Sequence, residues 1–233
     1  MSRIWMKTAG VALVAALPLW ASAELTANVS LTSNYKFRGQ DQDASRSKAF
    51  KPALQGGFDY SFGDTGWYVG NWNSSVDWVP GNALEVGFYG GYKFQGAGLD
   101  WDLGASTSVY PGGSVANTTE LHASTTYGPL TAKYAHTVSK KYFGFEGGRN
   151  TGYFSLGFAQ AVAPRVTLKA AVGYTRFASD VADVPNYLDY SLGGAYDFGD
   201  GLSLGAAVVG ANKQQAFGDI NKARLVVTLS KTL

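Results

Sequence analysis

The stretch Leu25-Thr26-Ala27-Asn28-Val29-Ser30-Leu31-Thr32-Ser33-Asn34-Tyr35-Lys36-Phe37-Arg38 alternates with a period of two. One side carries Leu25, Ala27, Val29, Leu31, Tyr35 and Phe37, and the other Thr26, Asn28, Ser30, Thr32, Asn34, Lys36 and Arg38. Successive side chains of a strand point to opposite faces, so this spacing predicts a strand with one apolar and one polar side. Helical spacing is almost absent downstream. The same alternation returns near 49–62, 67–78, 83–94, 99–110, 118–127, 130–140, 151–162, 166–177, 187–198, 202–211 and 222–233, which makes twelve predicted strands in all.

The links between them alternate in length. Short turns at 63–66, 95–98, 128–129, 163–165 and 199–201 are interleaved with mostly longer links at 39–48, 79–82, 111–117, 141–150, 178–186 and 212–221. Strands of a soluble sandwich usually run about 5 to 6 residues. These are about twice that, near the 9 to 11 residues or so that cross a bilayer at a tilt. Short turns at one end and longer loops at the other is the layout of outer-membrane barrels. An even strand number lets the last strand close on the first, so no unpaired N–H and C=O groups face lipid. The expected fold is therefore all-β, a transmembrane antiparallel up-and-down barrel of about 12 strands. Tyr60, Phe62, Tyr68, Tyr92, Phe94, Trp101, Tyr127, Tyr196 and Phe198 cluster beside the short turns, and Tyr35, Phe37, Trp78, Tyr174 and Tyr190 lie near the longer loops. Both groups are read as girdles at the two membrane interfaces.

Composition excludes several alternatives. The 233 residues include no Cys, so disulfide scaffolds, thiolate metal sites and cysteine nucleophiles are ruled out. With 15% charged and 14% aromatic residues the chain is the opposite of a disordered one. Lys and Arg number 19 against 17 Asp and Glu, and without Arg3 and Lys7 the count is 17 against 17. No basic stripe offers itself to a row of phosphates, so nucleic acid is not an expected partner. Arg3 and Lys7, the apolar run 9–19 and Ala21-Ser22-Ala23 have the layout of a cleaved secretory signal peptide. The run is shorter than the roughly 20 residues of a spanning helix. Expected domains are a signal peptide at 1–23 and one barrel at 24–233.

If the apolar face meets lipid, the polar face lines the lumen. Lys36, Arg38, Glu85, Glu120, Asp189 and Arg224 then fall near the loop end; Asp59, Lys93, Asp100, Asp102, Lys133, Lys169 and Asp197 fall near the turn end. Thr32, Asn71, Asn73, Ser106, His122, Ser124, Ser155, Gly173, Ser191, Gly193 and Thr228 lie between, small enough to leave room for water. The residues expected to shape the field on a solute are Lys36, Arg38, Glu85, Asp102, Glu120, His122, Lys133, Lys169, Asp189 and Arg224. Charges of both signs fit either such a field or a ladder of mutual salt bridges, and their near balance predicts weak ion selectivity.

Catalysis has little support. A hydrolase needs a nucleophile, a base and an orienting group, and only His122 and His136 supply imidazole. Glu120, His122 and Ser124 share a face, but a serine-rich polar lumen brings such groups together by chance. Asp41, Asp43, Asp180 and Asp183 are calcium-type ligands that read more simply as solvated loop acids. No metal or cofactor is expected.

The mature chain resembles the TorF-family porins, bacterial outer-membrane proteins carrying the domain known as Gcw_chp. The resemblance rests on Asn34-Tyr35-Lys36-Phe37-Arg38-Gly39, Pro52-Ala53-Leu54-Gln55-Gly56-Gly57-Phe58-Asp59-Tyr60, Tyr68-Val69-Gly70-Asn71-Trp72, Gly90-Gly91-Tyr92, Tyr110-Pro111-Gly112 and Tyr127-Gly128-Pro129-Leu130. Two later stretches, Tyr187-Leu188-Asp189-Tyr190-Ser191-Leu192-Gly193 and Arg224-Leu225-Val226-Val227-Thr228-Leu229-Ser230-Lys231, complete the order. The family name implies a channel and assigns neither substrate nor catalytic residues. Barrels of this type often end in an aromatic; this chain ends in Leu233. The expected function is passive diffusion of small hydrophilic solutes or ions across a Gram-negative outer membrane, with membrane lipids as surroundings. The alternatives are a closed structural or surface-interaction barrel and an outer-membrane enzyme using His122.

Overall fold

The computed structural model describes residues 24–43, 50–113 and 116–233, so the expected leader at 1–23 lies outside the described residues. Twelve long strands form one closed barrel. They are β1 (Glu24–Thr32), β2 (Ala53–Ser61), β3 (Trp67–Ser75), β4 (Leu84–Gly96), β5 (Leu99–Val109) and β6 (Thr118–Tyr127), followed by β7 (Leu130–Thr137), β8 (Gly152–Ala163), β9 (Val166–Arg176), β10 (Tyr187–Gly199), β11 (Leu202–Ala211) and β12 (Arg224–Thr232). Each pairs antiparallel with its chain neighbours, and β1 closes on β12 from Asn28↔Thr232 to Thr32↔Thr228. Closure removes the open edges that a free sheet would expose. The short turns carry fitting chemistry: Asp200 and Gly201 both have positive φ, 49° and 76°, the handedness that matches the twist of a tight hairpin.

The surface is inverted relative to a soluble protein. Leu31, Leu54, Leu192 and Leu225 point outward and are 53%, 61%, 60% and 64% exposed. Inward positions Ser30, Glu85, Asp102, Glu120 and Asp189 are buried. Such a continuous apolar exterior is stable only against an apolar medium. Among the described residues no helix is long and apolar enough to cross a membrane.

At the turn end the exterior rings pack on one another, Trp67 on Tyr92 at 5.0 Å, Tyr60 on Phe62 at 4.8 Å and Tyr196 on Phe198 at 4.9 Å. The two expected aromatic groups need correction in four places. Tyr68 points into the lumen and donates to Asp102. Tyr35 is also inside, bonded to Glu85, while Phe37 packs on Phe143 and Trp78 on the buried Tyr110.

Strand β3 inverts the expected parity. Its inward residues are Tyr68, Gly70, Trp72 and Ser74, with Trp72 against Tyr35 at 5.4 Å. Asn71 and Asn73 consequently lie on the outer face, where Asn71 is flanked by the exposed Phe58 and Phe88. They are tolerated there because their amides are internally satisfied. Asn71 Nδ2 donates to Asn73 Oδ1 (3.2 Å) and Gly87 O (3.1 Å), and Asn73 Nδ2 to Asn71 Oδ1 (2.7 Å) and Gly56 O (3.3 Å).

Candidate functional site: the barrel lumen

The first strand is shorter than its alternation suggests. It leaves the wall after Thr32, and residues 33–43 fold inward as a small hairpin in which Lys36–Phe37 pairs with Gln40–Asp41. Its turn is Arg38-Gly39, with φ of 47° and 76°. A Cβ on Gly39 would sit 2.6 Å from both Asp189 Cβ and Gly210 O, so the tip reaches the wall at β10 and β11 and has no space for a side chain.

Charge pairing holds this hairpin across the lumen. The Arg38 guanidinium donates to both carboxylate oxygens of Glu120 on β6, at 3.0 and 2.8 Å, and to the Tyr142 hydroxyl at 2.9 Å. It also lies 4.1 Å from the centre of the Tyr153 ring, a cation–π contact on a desolvated charge. Toward the closing strand, Asp41 takes Lys36 Nζ at 3.0 Å and Arg224 Nε at 2.8 Å. Lys36 Nζ also donates to the carbonyls of Gly39 and Ile220, each at 3.0 Å. Burial lowers the Lys36 ammonium from its ordinary range, and the Asp41 carboxylate opposes that shift. Tyr35 completes the set with a bond to Glu85 on β4 at 3.2 Å.

Above the hairpin the loops close in. Tyr142, Phe177, Val181, Tyr187 and Ala211 form one buried apolar cluster, and Val76, Val79, Tyr110 and Ala116 a second, with Phe143 packed against both. Burial raises the Tyr142 phenol above its usual value, so it stays a neutral donor and acceptor beside Arg38. The hairpin and the loops thus narrow the loop-side half of the lumen.

The turn-side half differs. Tyr68 donates to Asp102 at 2.7 Å, His122 Nε2 lies 3.6 Å from the same carboxylate, and Tyr89 donates to Asp59. Lys93 stands 4.5 Å over the Tyr68 ring. Lys133 and Lys169 are half-buried, and the described residues give them neither a hydrogen bond nor an ion pair. Inward-pointing Ala159 is exposed, so this half is open to water.

The ten sequence-derived positions are therefore distributed unevenly. Lys36 and Arg38 sit on the hairpin, not on the wall, and the fold joins Arg38 to Glu120 and Arg224 to Asp41. Glu85 is held by Tyr35 and Asp189 by Tyr153, at 3.1 Å. Asp102 and His122 meet, whereas Lys133 and Lys169 stand apart. The expected solvated loop acid Asp41 is a buried ion-pair partner instead. Among the described residues no group of three or more His, Cys, Asp or Glu is gathered as a metal site. The Glu120–His122–Ser124 grouping is not assembled, because Glu120 is bound to Arg38 and His122 faces Asp102 and Tyr68.

Tyr68, Tyr89 and Tyr153 were not among the expected lumen residues. Their signal is pairing with small partners: Tyr68 stands opposite Gly91 and Tyr89 opposite Gly70, and a Cβ at Gly173 would lie 2.1 Å from the Tyr153 hydroxyl. Each side chain passes over a wall glycine and carries its hydroxyl to a carboxylate.

A family profile described as a bacterial protein of unknown function, Gcw_chp, matches residues 20–233. No curated protein sequence gives a significant match. Among solved structures, the KdgM porin in complex with disordered oligogalacturonate aligns over 89% of this chain and 97% of its own, with 8% identity and a TM-score of 0.57. The NanC porin aligns over 90% and 98%, with 9% identity and a TM-score of 0.56. At such identities the likeness is one of fold: these porins have the same kind of barrel.

Proposed function

Because the chain belongs to the Gcw_chp family of bacterial proteins, whose description leaves the activity open, we propose that it is a porin of the TorF type. On this reading it is a passive outer-membrane channel for small hydrophilic solutes or ions, and not an enzyme. The observation that carries it is the inverted barrel, twelve closed strands with leucines outside and a polar interior that water reaches from the turn end. The turn end is periplasmic by the usual orientation of such barrels. Lys93, Lys133 and Lys169 would act on a solute in the open half, and the hairpin at 33–43 would set the narrowest point. The fold likeness to KdgM and NanC porins supports this reading.

The test is single-channel recording of the refolded chain in a planar bilayer. Discrete conductance steps are the expected result, larger in a variant lacking the hairpin tip at 37–40. A barrel that inserts and resists detergent unfolding but never conducts, with or without the tip, sinks the proposal. One observation favours a second reading, a closed structural barrel: the hairpin is bound to β6 and β12 by buried charge pairs. Conductance only after hairpin removal would select it.

A further inference from the structure

Lumen acids and lumen lysines are treated differently by this fold. Glu85, Asp102, Glu120 and Asp189 are buried and each accepts a hydrogen bond from a neighbouring side chain. Lys133 and Lys169 have no such partner. Lys133 on β7 stands opposite Ser124 and Ser155, and Lys169 on β9 opposite Ala159 and Gly193. The two strands flank β8, whose inward residues between these registers are Ser155, Gly157 and Ala159. That floor is small and carries no charge. The carboxylates of Asp102 and Glu120 act on Lys133 only from beyond ion-pair distance. Partly desolvating an ammonium that no carboxylate touches is unfavourable, so such a group gains from an anion that water can deliver.

The spacing indicates what would fit. The registers of the two lysines lie four residues apart along β8 and one strand to either side of it. Strand geometry places their Cα atoms about 16 Å apart. Two extended lysine side chains of about 6 Å each leave space for one small molecule bearing an anionic group at each end. The other charges on inward positions of this half are Lys93, Asp59 bonded to Tyr89, and Asp102 bonded to Tyr68 and close to His122, with Glu24, Asp100 bonded to Gln95, and Asp197 bonded to the Gly199 amide at the rim.

We infer that the turn-side half of the lumen is a binding vestibule for small dianionic solutes, carboxylates or phosphates, held between Lys133 and Lys169 over the β8 floor. The inference rests on the porin reading only in placing the open end toward the periplasm; binding itself needs no conduction.

Isothermal titration of the full barrel in zwitterionic detergent with sodium pyrophosphate tests it, with sodium succinate as the carboxylate probe. Saturable binding is expected, weakened at least tenfold in the Lys133→Gln/Lys169→Gln double variant and unchanged in Lys213→Gln on an exposed loop. No saturable binding, or binding indifferent to the double substitution, overturns the inference. Binding of one probe alone assigns the anion chemistry. Bilayer recording separates the two proposals. Under a potassium chloride gradient, the chloride-to-potassium permeability ratio should fall by about threefold in the double variant, the size expected of two unit charges acting through water over roughly 10 Å. A conducting barrel whose ion preference is indifferent to the double substitution would refute the vestibule and keep the porin, whereas a barrel that binds pyrophosphate without conducting would refute the porin and keep the vestibule.

Discussion

The two halves of one lumen are built from the same twelve strands and reach opposite states. Toward the loops, Arg38, Glu120, Asp41 and Arg224 are paired beneath the Tyr142 and Tyr110 clusters. Toward the turns, Lys133 and Lys169 face water over a floor of serine, glycine and alanine. The difference does not come from the wall, which alternates in the same way at both ends. It comes from one eleven-residue insertion, the hairpin at 33–43, which brings its own charges and covers those of the wall. The same kind of inward charge is a structural element where a partner reaches it and a free lumen charge where none does.

The largest expected effect breaks the paired half. Glu120→Ala strands the buried Arg38 guanidinium and should cost about 3 to 5 kcal/mol, the usual loss when one member of a buried pair is removed. Urea-driven unfolding from vesicles measures it, and a loss below about 1 kcal/mol, typical of an exposed pair, would show that the hairpin is not held as described. Asp41→Asn should be nearly as damaging, because it leaves both Lys36 and Arg224 without their carboxylate. Its barrel should also conduct more noisily as the hairpin loosens. Gly39→Ala comes next. It combines a φ of 76° with contacts at 2.6 Å, and a loss of about 1 to 3 kcal/mol is expected from the backbone strain alone. Retention of wild-type stability and conductance would mean that the tip does not press on β10.

The open half should tolerate change. Lys169→Met is expected to shift stability by no more than about 0.5 kcal/mol, as at positions without specific partners, while altering ion preference. A large destabilisation would reveal a structural partner for that ammonium. The smallest effect belongs outside: an Asn71→Leu/Asn73→Leu double variant removes a self-contained amide pair as a unit and should be near neutral in folding. Asn71→Leu alone should be worse than the double, since it leaves Asn73 with unmet groups facing an apolar medium.

The alternation of residues 25–32 and its eleven echoes was legible because period two is local: a strand needs only its own side chains to declare which faces are apolar. The failures have equally local reasons. In β3 both faces carry bulky rings, Tyr68 and Trp72 on the inner and Trp67 on the outer, and the asparagines lie on the outer one, so alternation alone points Asn71 and Asn73 the wrong way. After Ser33 the alternation resumes at 34–38 although the strand has ended, because a hairpin folded into a polar lumen has the same two-residue period as the wall.

The sequence by itself determined an inverted, closed, even-stranded barrel and the rule that its polar face turns inward, since hydrogen-bond closure and the apolar exterior follow from patterning alone. Only the tertiary structure decided which inward charges meet. Arg38 and Glu120 are separated by 82 residues and Asp41 and Arg224 by 183. No periodicity encodes such pairs. They arise when barrel closure carries the segment after β1 across to β6 while leaving it beside β12, and that same geometry leaves Lys133 and Lys169 unpaired and facing water.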